Sequence, residues 1–73
     1  MTNTNELRAW MVKRGVTQAD CAKVIGVDPR TMSTRMKTGI FGSDEIEKLV
    51  DYLKIDKPIP VFFPDWVNSQ FTS

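Results

Sequence analysis

The sequence predicts an all-α domain of four to five short helices, and three observations predict it. Apolar residues recur at i, i+3 and i+4 through most of the chain, the spacing of one helix face. Gly15, Gly26 and Gly39 follow those stretches where helices stop, and Asn3, Thr17, Asp28 and Ser43 precede them where helices start. Two stretches are joined only by Gly26-Val27, a helix-turn-helix layout. The 73 residues make one domain, near the small end of what folds alone. Its helical core is expected over residues 4–55. An apolar C-terminal segment, residues 58–73, either packs on that core or forms an interface.

The first helix is expected from Thr4 to Arg14. Asn3 and Glu6 have the spacing of a capping box. Leu7, Trp10 and Met11 fall on one face, so Trp10 is read as core. Lys13 and Arg14 suit the negative end of the helix dipole, and Gly15 ends it. The second runs from Thr17 to Ile25, with Thr17 as cap and Asp20 third after it. Cys21, Ala22 and Ile25 share a face, which makes Cys21 core packing rather than redox chemistry.

The third runs from Asp28 to about Lys37. Asp28 is a good N-cap, and Pro29 suits the first helical position, where a missing N–H costs nothing. The fourth runs from Ser43 to Leu53. Ser43 is expected to cap it, Asp44 and Glu45 face its positive end, and Ile46, Leu49, Val50 and Leu53 form a clean stripe. Beyond it Pro58 and Pro60 predict an extended entry. Phe63, Trp66, Val67 and Phe71 then share one face of a short last helix, with Pro64 in its first turn. The alternative is a β-like segment over "IPVFF".

What the chain lacks narrows its chemistry. It has one cysteine and no histidine, so no His–Cys cluster for zinc and no histidine base for a nucleophile. There is no glycine-rich phosphate loop. A catalytic role and a cofactor are therefore not expected. No apolar run approaches the ~20 residues of a membrane span. The start, "MTNTNELRAW", lacks the basic and apolar blocks of a signal peptide, and a reducing cytosol is the expected compartment. Net charge is only +1. Its distribution is uneven: residues 1–42 hold seven Lys and Arg against three acids, residues 43–73 three Lys against six. A polarised domain of this kind turns its basic side toward phosphates.

The turn between the second and third helices needs a glycine at the exit, a small residue at the crossing and an apolar residue in the turn. Gly26, Ala22 and Val27 supply them. This stretch, "TQADCAKVIGVDPRTMSTRMKTG", resembles the Cro/lambda-repressor-like (XRE-type) helix-turn-helix family. "FGSDEIEKLVDYLKI" is similar to the helix that follows in small phage regulators. The likeness covers roughly Leu7 to Ile55. It implies a compact lambda-repressor-like fold of four to five helices. The implied function is that of a small temperate-phage or prophage regulator of Cro type. Such a protein occupies a double-stranded DNA operator, as a cytoplasmic, nucleoid-associated protein of a bacterial host. One position departs from the pattern. Counting Gln18 as the first, the eighteenth is usually apolar and here is Arg35. Met36 is expected to take over its packing, which leaves Arg35 on the flank to pair with an acid or touch DNA backbone.

Helix geometry divides the third helix. Advancing about 100° per residue from Met32 puts Met36 near 40° and Pro29 near 60°, the expected buried side. Arg30, Ser33, Thr34 and Lys37 fall between about 100° and 200°, on the opposite side. Arg and Lys suit guanine edges and phosphates, and the hydroxyls suit base edges or phosphate. Thr31 and, despite its angle, Pro29, both in the first turn, are also candidate DNA-binding residues. Gln18, at the start of the second helix, is placed to grip a phosphate. Thr38, at the exit of the third helix, is expected to join Lys37 there.

The aromatic tail supplies more apolar surface than such a core needs. Phe62, Phe63, Trp66, Val67 and Phe71 are therefore candidates for an interface. Two-fold pairing on DNA half-sites makes a homodimer the expected partner. A second reading keeps the fold and changes the partner. There the chain is a modulator or antirepressor that binds a partner phage repressor and has little DNA binding of its own.

Overall fold

The computed structural model describes residues 1–66. Five α-helices follow in order: α1 (Thr4–Arg14), α2 (Gln18–Ile25), α3 (Pro29–Thr38), α4 (Ser43–Leu53) and α5 (Pro58–Phe62). Residues 64–66 are again helical, so Pro64 does open a further turn. Val67 and Phe71 lie outside the described residues. The all-α expectation holds. No helix among the described residues is long and apolar enough to cross a membrane.

Capping decides most of the boundaries. The Asn3 side chain accepts from Glu6 N–H at 3.2 Å, and the Asp28 carboxylate accepts from Arg30 N–H at 2.8 Å. Thr17 and Asp20 form a reciprocal box: Thr17 N–H donates to Asp20 at 2.8 Å, and Asp20 N–H donates to the Thr17 hydroxyl at 3.1 Å. At the α2 exit Gly26 turns left-handed at φ 76°, and Val27 N–H donates to Ala22 carbonyl at 3.0 Å. That closes the three-residue turn, Gly26 to Asp28, into α3.

The core is built from one face of each helix. Leu7 and Met11 of α1, Cys21, Ala22 and Ile25 of α2, and Met32 and Met36 of α3 are buried. Leu49 and Leu53 of α4, Ile55, and Val61 and Phe62 of α5 complete it. α2 lies at the centre against α3 and α4, while α1 packs on α4 and α5. Arg14 reaches from α1 to the end of α4, where its guanidinium donates to the carbonyls of Leu53 at 2.7 Å and Lys54 at 3.1 Å. These are carbonyls that the helix end leaves without partners.

Several expectations need correction. Ser43 does not cap α4: Gly42 is the N-cap residue and Ser43 the first helical one. The cap comes from inside, since Gly42 N–H donates to the Glu45 carboxylate at 2.8 Å. The "IPVFF" stretch is neither extended nor β-like. Pro58 begins α5, and Pro60 sits in the first turn, where a proline gives up no helical hydrogen bond. Phe62 is core, edge-on to Phe41 with ring centres 6.3 Å apart, and is thereby removed from the candidate interface. Trp10 is only half-buried, at the core's edge, with Lys13 and Arg14 at 4.6 and 5.2 Å from its ring. Pro29 is exposed, so the buried side of α3 is set by Met32 and Met36 alone.

Candidate nucleic-acid interface

α3 is amphipathic in the sense that matters for a surface that reads another molecule. Met32 and Met36 are 0% and 3% exposed and anchor one side. Arg30, Ser33, Thr34, Lys37 and Thr38 are all exposed, and Thr31 is half-buried. Two methionines at i and i+4 therefore present two cations and short hydroxyls outward. Among the described residues neither Arg30 nor Lys37 makes an ion pair.

α2 meets this face through Gln18. Its side-chain amide donates to the Ser33 hydroxyl at 3.2 Å. The bond ties the first turn of α2 to the middle of α3. It leaves Ser33 its own O–H to donate, and leaves the Gln18 carbonyl oxygen to accept. Gln18 is thus turned toward α3 and tied to Ser33.

The other hydroxyls are more committed. Thr34 donates to Arg30 carbonyl at 3.1 Å, and Thr38 to Thr34 carbonyl at 3.0 Å, both bonds back along the helix. Thr38 also accepts from Ile40 N–H at 3.3 Å, which holds the chain as it leaves α3. In these arrangements Thr34 can accept from a base amino group but does not donate to a phosphate oxygen. Thr38 is occupied in both directions.

The two helix N-termini carry acids. Asp28 caps α3, and Asp20 lies in the first turn of α2, where the bonds from Thr17 backbone and hydroxyl hold its carboxyl below the usual range. A phosphate at either terminus meets a carboxylate as well as free N–H groups. Attraction to phosphate therefore falls to Arg30 and Lys37 rather than to the helix dipoles.

Arg35 does not join them. Its guanidinium pairs with Glu45 of α4 at 2.9 Å, and Glu45 is 7% exposed. Met36 fills the buried position, as the sequence spacing implies. Glu45 is the residue that sequence reasoning missed. The available signal was an arginine at a usually apolar site followed ten residues later by an acid in the first turn of a helix. Ile40 and Ile59, both exposed, were also missed, and single isoleucines at loop and turn positions give no such signal.

Cys21 is fully buried, and burial, helped by nearby Asp20, pushes its thiol up to about 11. It is a packing group at neutral pH and not a nucleophile. Compared with protein-family models, curated proteins and solved structures, the chain finds no match.

Proposed function

We propose that the chain is a sequence-specific DNA-binding regulator that lays α3 in the major groove. This is the manner of the Cro/lambda-repressor-like family that its helix-turn-helix spacing resembles. It acts by occupying an operator, as a binding protein and not an enzyme. The observation that carries the reading is the exposed α3 face. Arg30 and Lys37, which make no ion pair among the described residues, flank Ser33, with Met32 and Met36 fixed in the core behind them.

The roles divide by chemistry. Arg30 reads a guanine edge, and Lys37 neutralises phosphate near the helix exit. Ser33, held by Gln18, donates to a base acceptor. Thr34 accepts from a cytosine or adenine amino group, and exposed Pro29 and half-buried Thr31 give apolar contact to a thymine methyl or sugar.

The test is a gel shift of the pure protein against DNA flanking its own gene, with and without the neighbouring regulator. A specific shift by the protein alone, lost in Arg30→Ala and Ser33→Ala, supports the reading. No shift, with a stable complex to that regulator instead, moves the function to modulation of a partner repressor.

A further inference from the structure

We infer that Glu45 is a positioning residue that sets how strongly the α3 face holds phosphate, by keeping Arg35 away from it; the inference rests on the DNA reading proposed above. Arg35 lies in the last turn of α3 and is the third cation of that helix, after Arg30 and beside Lys37. Around the helix axis it falls near 300°, next to Thr38 near 240° and Thr31 near 260°, about 80° from the midline of Met32 and Met36. That is a flank of the helix. A helix about 10–12 Å across fills a major groove about 12 Å wide, so its flanks face the phosphate walls. The Arg35 side chain is 31% exposed, so a phosphate on that wall is within its reach.

Glu45 withholds it. The pair runs through Arg35 Nε alone, at 2.9 and 3.0 Å from the two carboxylate oxygens. The remaining N–H donors of the guanidinium lie outside the pair. The Glu45 side chain is 10% exposed and also accepts from Gly42 N–H at 2.8 Å. The acid is thus tied to the start of α4 and does not follow the arginine outward. Any reach of Arg35 toward a phosphate breaks the pair and leaves a buried carboxylate without its cation. The charge offered to DNA is then that of Arg30 and Lys37. A phosphate contact strengthens binding to every sequence alike. Glu45 therefore fixes the affinity and its salt dependence, and leaves base choice to the outward face.

The experiment measures the affinity of the full chain for duplex DNA flanking its own gene and for an unrelated duplex of equal length, by fluorescence anisotropy at about 50 to 300 mM salt. The variants are Glu45→Gln, the double variant Arg35→Met with Glu45→Gln, and Glu47→Gln. Glu47 is an exposed acid of α4, so its loss gives the same net charge as Glu45→Gln. Glutamine at 45 keeps an oxygen for Gly42 N–H, and the double variant has the wild-type net charge. The expected result is that Glu45→Gln tightens both duplexes by the same factor, on the order of tenfold near 0.1 M salt, and steepens the log–log salt slope by about 0.9, one phosphate. Glu47→Gln and the double variant keep the wild-type slope. A loosened fold gives the opposite, a loss of binding.

A Glu45→Gln slope equal to that of the wild type or of Glu47→Gln overturns the proposal. So does a double variant whose slope is shallower than wild type by about 0.9, because Arg35 then already holds a phosphate in the wild type. That comparison stands even where Glu45→Gln alone fails to fold. Elution from phosphocellulose separates this proposal from the DNA reading. Glu45→Gln is expected to need more salt than the wild type and Glu47→Gln, and the double variant to elute with the wild type. That order without binding to either duplex keeps the hold of Glu45 on Arg35 and removes only the DNA reading. Salt-dependent binding to the flanking duplex, with Glu45→Gln and Glu47→Gln eluting together, does the reverse.

Discussion

The Arg35 guanidinium and the Glu45 carboxylate lie 2.9 Å apart and join α3 to the first turn of α4. Glu45 holds Gly42 N–H with the same carboxylate, at 2.8 Å, so one buried acid anchors both an arginine and a helix start. Removing the arginine leaves that acid without its cation. Arg35→Ala is expected to cost about 1–3 kcal/mol, less than a fully buried pair because the Arg35 side chain is nearly one-third exposed. Arg35→Met combined with Glu45→Gln should recover much of it, since the amide oxygen still accepts from Gly42 and the thioether packs. Denaturant unfolding of the single and double variants measures the coupling.

Gly39 is constrained twice. It sits at φ 72°, and a Cβ there would come within 3.0 Å of the Thr2 carbonyl oxygen. Thr2 N–H in turn donates to Gly39 carbonyl at 2.8 Å. Gly26 has a similar φ of 76° but open space around it. Gly26→Ala should therefore cost about 1 kcal/mol, and Gly39→Ala about 2–3 kcal/mol. Equal losses in thermal melts would contradict the close approach.

The α2 capping box predicts an acid-sensitive start to that helix. Asp20 is held below its ordinary 3.8, chiefly by the Thr17 backbone N–H and then by its hydroxyl. A depressed folded value means stability that is complete above the unfolded value and lost as pH falls from about 3.8 through the folded one. Asp20→Asn should flatten the pH dependence of stability in that window. Thr17→Ala should cost about 1 kcal/mol at neutral pH. Melting curves from pH 2 to 7 would show no difference between wild type and Asp20→Asn if the bond carried nothing.

Cys21 should resist alkylation in the native protein. It has no exposed surface, and its thiol is pushed up to about 11, so thiolate and access are both lacking at pH 8. Labelling followed by mass spectrometry should track unfolding as denaturant is added. Fast labelling of the folded chain would place Cys21 in a more open site.

Much of the fold was legible because caps and stops are local chemistry. Asn3, Thr17 and Asp28 cap, and Gly15, Gly26 and Gly39 stop, where residue type alone places them. The α4 start was misplaced by one residue. Serine is the better cap by propensity, but Glu45 reaching back from inside makes Gly42 sufficient. The segment after α4 was the least legible. Two prolines favour extended backbone locally, yet Val61 and Phe62 gain burial only if the chain turns helical and folds onto α1. That is a long-range choice. The outward face of α3 followed from its angular spacing, but the bonds that commit Thr34, Thr38 and Gln18 did not, since spacing fixes direction and not partner.

The measurement that tests the central claim most directly is an amide NMR titration of the labelled chain with duplex DNA from beside its own gene. The account predicts the largest changes at Gln18, Arg30, Ser33, Thr34 and Lys37, with Met32 and Met36 shifting little and the changes weakening as salt is raised. Changes confined to Ile59, Phe63 and Trp66, or none at low salt, would contradict α3 as the surface that reads DNA.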